Sequence, residues 1–359
     1  MSADTVGGVW DYALELARGL IAAGDEVVVA AMGGRLKLAQ RQAAAAVPGL
    51  IVHDAPWRLE WMEEPWSDLE LAGDWLLQLA AETRPDVVHL NHYAHGALDW
   101  PAPVLVVAHS CVYSWHHAVR GGPPAPGWQR YREVVERGLR AADLVVAPTA
   151  AMLAEVVRFY GPFHRARIIH NGRRPEDYPP LPKRRRILSA GRVWDEAKNI
   201  ELLLAVAPAL PWPVAIAGDP RHPDGGEQRL SGVRALGWLD QPAMAQALGE
   251  AAIYALPARY EPFGLSVLEA ALAGCALVLG DIPSLRELWD GAALFVAPSN
   301  EAGLHTALTR LCRDSELRHA YAERAQDRAR CYSAQAMVEG YRGIYRQLQQ
   351  ERRAMKRHA

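Results

Sequence analysis

The chain has 359 residues, 50% of them hydrophobic and 22% charged, which is enough for two ordinary domains with proper cores and too apolar for disorder. A formal net charge of -2 excludes the strongly basic surface of a nucleic-acid-binding protein. No apolar run reaches the ~18 residues of a membrane span, so contact with a membrane is peripheral at most.

The first twenty residues hold Asp4, Asp11 and Glu15 and lack a basic segment followed by an apolar one, which does not read as a secretory signal. The four cysteines, Cys111, Cys275, Cys312 and Cys331, lie far apart with no C-x-x-C pair, so reduced thiols in a cytoplasmic protein are expected. Residues 5–24, TVGGVWDYALELARGLIAAG, read as a loop and an amphipathic helix: Val9, Tyr12, Ala13, Leu16 and Leu20 recur at helical spacing, and Gly24 stops the helix ahead of a strand over 26–31. Gly7 and Gly8 precede that helix and form a candidate anion or sugar seat, although a Gly-Gly turn there also serves a purely structural end.

An alanine-rich helix (40–46) and a short strand (50–53) follow. Trp57, Trp61, Trp66 and Trp75 come next among acids; Trp57 and Trp61 are placed on one helical face, where packing is expected ahead of stacking on an acceptor sugar. The strand 86–90 leads into NHYAHG. The segment PVLVVAHSCVYSW then delivers His109 and Ser110 to the carboxyl end of a buried strand, where open α/β sheets bind ligands. A Gly/Pro-rich loop (120–127), a helix (129–141) and a strand (144–147) complete the first half.

Residues 173–184, RRPEDYPPLPKR, are polar and proline-rich and are the predicted linker; the basic run 183–186 reads as a solvated face. Beyond it the alternation repeats. The strand 187–190 ends in GRVWDEAKN, which supplies Arg192 and Lys198, and the strand 233–236 runs into GWLD. The densest signal is 253–283: a strand (253–256), a loop (257–262), a helix opening at 263–265 and a second strand (276–279). Glu261 and Glu269 stand eight positions apart, one in the loop and one about two turns into the helix. A helix start carrying Gly264 suits a phosphate, so the loop reads as a diphosphate seat. Glu269 would then reach a sugar hydroxyl, because a carboxylate only accepts hydrogen bonds, and Glu261 would face whatever the diphosphate carries. Two carboxylates beside a bound anion need cations, which Arg192 and Lys198 provide. The closing helices, 314–330 and 334–352, end in a basic tail.

The pair G-R-x5-K-N and E-P-F-G-L-S-V-L-E resembles the donor site of the retaining glycosyltransferases of family 4, whose GT-B fold sets two Rossmann-like, doubly wound α/β domains facing a central cleft. The resemblance implies an acceptor-side domain over 1–172, the linker 173–184, a nucleotide-sugar domain over 185–333, and a last helix, 334–359, crossing back to the first domain. It implies that Arg192 and Lys198 grip the nucleotide diphosphate, that Glu261 lies by the donor sugar and that Glu269 binds the ribose. Phe263, Gly264 and Leu265 would complete the donor site at the helix start, with Leu236, Gly237 and Trp238 along the base. Gly7 and Gly8 correspond to the family's glycine loop facing the donor sugar, and His109 to the histidine set near that sugar. The family opens with an apolar strand of about six residues ahead of the glycine loop. Only residues 1–4 stand here, so that central strand is expected to be missing or truncated, with the native start displaced.

The reaction so implied moves a sugar from a UDP-, GDP- or ADP-sugar to the hydroxyl of an unidentified sugar, lipid-linked or small-molecule acceptor, with cleft closure and without a cofactor. No D-x-D motif at a strand end calls for a metal. Two other readings share the diphosphate site: a GT-B sugar-nucleotide 2-epimerase and a non-catalytic sugar-nucleotide-binding protein. A nicotinamide oxidoreductase is disfavoured by the lack of an intact G-x-G-x-x-G. GGVW-x-YALELARGL is also similar to the glycogen synthase side of the superfamily, though nothing in the first domain shows that an α-glucan is made.

Overall fold

Short apolar runs form strands and apolar residues at helical spacing form helices, and in the computed structural model these segments assemble into two α/β units. The structure describes residues 1–221 and 229–358; residues 222–228, within the predicted donor domain, and residue 359 lie outside the described residues. The first unit is Met1–Gly172 with the C-terminal helix Ala334–His358, and the second is Arg173–Ser333. Among the described residues no helix is long and apolar enough to cross a membrane.

In the first unit, β1 (Ser2–Asp4), α1 (Gly8–Ala22), β2 (Val28–Met32), α2 (Leu38–Ala45) and β3 (Ile51–Asp54) build a parallel sheet in the order β1-β2-β3. Then α3 (Trp66–Thr83), β4 (Val88–Leu90), β5 (Val104–Val107), α4 (Val112–Arg120), α5 (Gln129–Ala141), β6 (Leu144–Ala147), α6 (Ala150–Tyr160) and β7 (Ala166–Ile168) build a second, ordered β4-β5-β6-β7. The C-terminal helix packs on α1, and its Arg342 Nε meets Asp25 Oδ2, just beyond the end of α1, at 2.9 Å.

The first strand is present but short: the three residues Ser2–Asp4 pair with β2, Ser2 opposite Ala30 and Asp4 opposite Met32. On the other side of β1 the join to β4 is made by side chains: Asn91 N donates to Ser2 Oγ at 2.8 Å, and Asn91 Nδ2 donates to Ser2 O at 2.6 Å. One serine and one asparagine thus satisfy groups that a missing strand would leave unpaired.

Trp57 and Trp61 depart from expectation, since they lie in an irregular segment between β3 and α3 and not on a helix. Local bonds compete with helix formation there: Arg58 N donates to Asp68 Oδ2 at 2.9 Å and Arg58 Nη1 to the Glu63 carbonyl at 3.0 Å. Both indoles pack against a cluster that includes Met32, Leu59 and Leu76.

The second unit runs β8 (Arg184–Ala190), α7 (Ile200–Val206), β9 (Val214–Ala217), β10 (Arg234–Gly237), α8 (Gln241–Glu250), β11 (Ala251–Leu256), α9 (Leu265–Leu272), β12 (Ala276–Gly280), α10 (Pro283–Trp289), β13 (Ala293–Val296), α11 (Glu301–Arg313) and α12 (Ser315–Ala329). Its parallel sheet has the order β10-β9-β8-β11-β12-β13, so the winding reverses between β8 and β11. Every residue of β11 is buried, and alternation sends Tyr254 and Leu256 to a cluster with Leu268, Leu285 and Trp289, while Ile253 and Ala255 meet Leu203, Leu304 and Leu308. Residues 173–184 are held on this unit: Arg173 N donates to Tyr332 O at 3.1 Å, Leu181 N to Gly249 O at 3.2 Å and Lys183 Nζ to Ala273 O at 2.6 Å.

In the first unit α5 meets the short turn Ala94–Ala97 backbone to backbone, and a Cβ on Gly138 would lie 1.9 Å from the Tyr93 carbonyl oxygen. Gly138→Ala is expected to cost about 3 kcal/mol through overpacking. That should lower the thermal midpoint by at least about 5 °C. Gly127→Ala, where an added Cβ meets nothing within 4 Å, should leave the midpoint close to wild type.

Candidate active site

Parallel sheets wound in both directions open a crevice at the carboxyl ends of the strands where the order reverses. Here those strands are β8 and β11, and the segments that follow them are Gly191–Asn199 and Pro257–Gly264. Asn199 ties the two together. Held at φ 55, a left-handed conformation that asparagine tolerates, it donates from Nδ2 to Pro257 O and Pro298 O, each at 2.8 Å. Its Oδ1 accepts from Arg259 Nε at 3.2 Å, and Arg259 N donates to Ala197 O at 2.8 Å.

On this clamp the charged residues are arranged in pairs. Lys198 Nζ donates to Glu261 Oε2, with 15% and 11% of the two side chains exposed. Arg192, 44% exposed, donates from Nη2 to Asp195 Oδ2 at 2.7 Å and lies 5.4 Å from the centroid of the Trp194 ring. The other oxygen of Asp195 accepts from Ala197 N at 3.0 Å and caps the turn that presents Lys198. Ser284 Oγ donates to the Glu261 carbonyl, which fixes the backbone under that carboxylate.

The helix α9 starts immediately beyond. Its cap is Gly264 at φ 87, and no side chain caps it. A Cβ at Gly264 would stand 3.3 Å from Glu261 Cγ and 3.1 Å from Val267 Cγ2, in a conformation that side chains resist. Phe263 is buried beside this turn, and Leu265 opens the helix. Glu269, one turn in, accepts from Arg173 Nε at 2.8 Å in a buried pair. Leu236 and Gly237 end β10, Gly218 N donates to Gly237 O at 2.8 Å, and Trp238 stands 63% exposed. Among the described residues no group of three or more His, Cys, Asp or Glu could hold a metal ion.

The first unit carries the remaining predicted residues. Gly7, at φ 123, caps α1 without a side-chain bond and Gly8 begins it. His109 follows β5; its Nε2 lies 2.8 Å from Asn91 Oδ1, and its ring meets that of Tyr12 edge-on at 4.5 Å. The same Asn91 oxygen is 3.1 Å from His89 Nε2. His92, in turn, shares bonds with Ser2 Oγ at 2.9 Å and with His95 at 2.6 Å. Burial disfavours the imidazolium in all of these: it lowers His89 and His92 well below the ordinary value, lowers His95, and brings His109 down to about 3.

Two family models match consecutive stretches of this chain: the one described as Glycosyltransferase Family 4 takes residues 6–177, and the one described as Glycosyl transferases group 1 takes residues 184–314. The chain belongs to the glycosyltransferases of family 4. It is 29% identical over 267 residues to a glycogen synthase of Mycobacterium tuberculosis, a match covering 68% of this chain and 64% of that protein, so it spans less than two thirds of that relative's length. The sucrose-phosphate synthase of Thermosynechococcus elongatus superposes with a TM-score of 0.81 at 20% identity, over 97% of this chain and 95% of that one. Anabaena HepE, solved in complex with UDP-glucose, does so with a TM-score of 0.75 at 16% identity, over 97% and 100%. The fold of this family 4 chain is accordingly GT-B.

Sequence reasoning named Arg192, Lys198, Glu261 and Glu269 but not Arg173, Asp195, Asn199 or Asn91. Asp195 lies inside the GRVWDEAKN string and was readable as a partner of Arg192; Asn199 lies there too, but its partners Pro257, Pro298 and Arg259 are remote in sequence. Arg173 was hidden by its place in a polar, proline-rich segment. The signal for it was a charge count: with Arg192 and Lys198 assigned to the diphosphate, Glu269 still lacked a cation.

Two outcomes follow from these pairs. Lys198→Met strands the Glu261 carboxylate and is expected to cost about 3 kcal/mol, whereas combining it with Glu261→Leu should recover most of that loss. Unfolding midpoints of the two single variants and the double variant measure the coupling; strict additivity would count against a paired site. The histidines predict acid lability. An unfolded histidine takes its proton near pH 6.5, while folded His109 stays neutral to about 3, so between these values the unfolded state binds more protons. Stability should therefore fall as pH drops below ~6.5, by up to about 1.4 kcal/mol per pH unit for each such group. Thermal melts between pH ~7.5 and ~5 test this, and His92→Gln should flatten the slope.

Proposed function

We propose that the chain is a retaining, metal-independent glycosyltransferase that moves a sugar from a nucleoside-diphosphate donor to an acceptor hydroxyl. The observation that carries this reading is the Lys198–Glu261 pair beside the uncapped start of α9, with Arg192 half-exposed at the end of β8. In the proposed reaction the bond from the anomeric carbon to the phosphate oxygen breaks and its electron pair leaves with the diphosphate. The acceptor oxygen bonds to that carbon on the same face, and its proton passes to the departing phosphate oxygen. Arg192, Lys198 and the N–H groups at Gly264 and Leu265 offset the charge growing on the leaving group, as fixed donors aimed at developing charge. Glu261 orients the hydroxyls of the donor sugar while holding Lys198 in place, Glu269 accepts from the ribose, and Leu236, Gly237 and Trp238 border the base. His109 and the Gly7–Gly8 loop contact the donor sugar.

UDP-sugars are the first donors to test, because a protein of the same fold is known with UDP-glucose bound. GDP- and ADP-sugars complete the panel. The four free cysteines, three of them buried, support a cytoplasmic setting.

A thermal-shift screen of UDP-, GDP- and ADP-sugars should identify the donor as the one that raises the melting midpoint. With that donor, release of the nucleoside diphosphate should depend on added acceptor. Arg192→Ala and Lys198→Ala should each reduce transfer by at least ~100-fold. Arg192→Ala removes the cation beside the buried Asp195, so its fold is checked by its melting midpoint, and a folded variant with activity within a few-fold of wild type would refute the assignment.

A further inference from the structure

The side-chain amide of Asn91 has one orientation only. Its Nδ2 stands 2.6 Å from the Ser2 carbonyl, which can only accept, so the amide nitrogen must face Ser2 and Oδ1 must point the other way. That oxygen receives two imidazoles, His109 Nε2 at 2.8 Å and His89 Nε2 at 3.1 Å. An amide oxygen cannot donate, so both ring nitrogens carry their protons there. The other nitrogen of His89 then accepts from the Tyr345 hydroxyl, 2.7 Å away, on the C-terminal helix. His109 Nδ1 has no hydrogen-bond partner among the described residues.

We infer that Asn91 is a positioning residue for His109: locked by Ser2, it holds the imidazole as the Nε2–H tautomer and leaves Nδ1 as a lone-pair acceptor for a hydroxyl of the bound sugar. This rests on the donor-sugar role given to His109 above and deepens it, because it fixes the polarity of the contact. The sugar hydroxyl donates and the protein accepts. A donor with fluorine in place of that hydroxyl has no proton to give and loses the contact.

The tautomer can be read without turnover. Imidazole-labelled protein, with His109→Gln to assign the resonance, should show His109 in long-range nitrogen–proton spectra at pH ~7.5 as Nε2–H alone. Asn91→Leu removes the acceptor at nearly constant volume, and His109 should then leave that single state. The variant should bind UDP within about threefold of wild type by calorimetry, since the diphosphate residues are in the other unit, while kcat falls on the order of tenfold, the loss of one hydrogen bond. A wild-type His109 carrying its proton on Nδ1 overturns the inference, and so does an Asn91→Leu protein whose His109 remains wholly Nε2–H. If Asn91→Leu does not fold, the wild-type spectrum still decides. If wild type transfers no sugar from any donor, the functional reading falls while the tautomer assignment stands or fails on the spectrum.

Discussion

Lys198 and Glu261 hold each other with only 15% and 11% of their side chains in contact with solvent, in the segments that follow the two strands where the sheet changes direction. Placing a lysine and a glutamate so deep is costly, since the attraction between them roughly repays the water each gives up and an apolar pair would stabilise the fold as well or better. Folding alone therefore does not account for this pair. The residues around it are arranged to keep it: Asn199 accepts a left-handed backbone in order to bond Pro257 and Pro298, Asp195 caps the turn that presents the ammonium, and Ser284 braces the glutamate backbone. Strain and desolvation concentrated at the end of an otherwise regular parallel sheet are the mark of a site built for a ligand.

Three cations of the second unit each have a carboxylate, and the pairs differ in depth. The Arg192 side chain is 44% exposed, that of Lys198 15%, and that of Arg173 5%. Exposure sets how readily a cation can exchange its partner. Arg192 reaches solvent and can turn to a phosphate, and its partner Asp195, though only 4% exposed, keeps the bond from Ala197 N when it does. Arg173 cannot leave Glu269 without stranding a buried charge. On the proposed reading the outer arginine follows the diphosphate, the lysine is shared between Glu261 and the leaving group, and the inner arginine fixes the carboxylate that meets the ribose.

The alternation of apolar strands and amphipathic helices was legible in the sequence, and so were the two loops of the candidate site, because EPFG and GRVWDEAKN combine a strand end, a glycine and charges in a fixed order. What was not legible depended on partners remote in sequence. β1 is three residues long and is completed by Asn91, a bond across 89 positions that no local pattern announces. The start of β8 was hidden because Arg184 to Arg186 reads as a charged surface; in the fold Arg184 and Arg186 reach Glu250 at 3.2 and 3.7 Å, which lets a strand begin in a basic run. The tryptophan segment misled for the opposite reason. A helical spacing was present, but side-chain bonds to Arg58 offered the backbone a competing arrangement.

Around the candidate site residues the two units differ in how they treat charge. In the second, cations and carboxylates are retained in pairs near the proposed diphosphate seat. In the first, His89, His92, His95 and His109 are all pushed toward neutrality by burial, and polar demand is met by serine, asparagine, tyrosine and backbone groups. That contrast fits the chemistry proposed. Breaking a glycosidic phosphate bond puts negative charge on the phosphate and positive charge on the sugar ring. Fixed cations favour the first change and would oppose the second. A histidine that touches the sugar is therefore useful in the neutral state, where it can take a hydroxyl proton in a hydrogen bond without adding positive charge beside a carbon that is itself becoming positive.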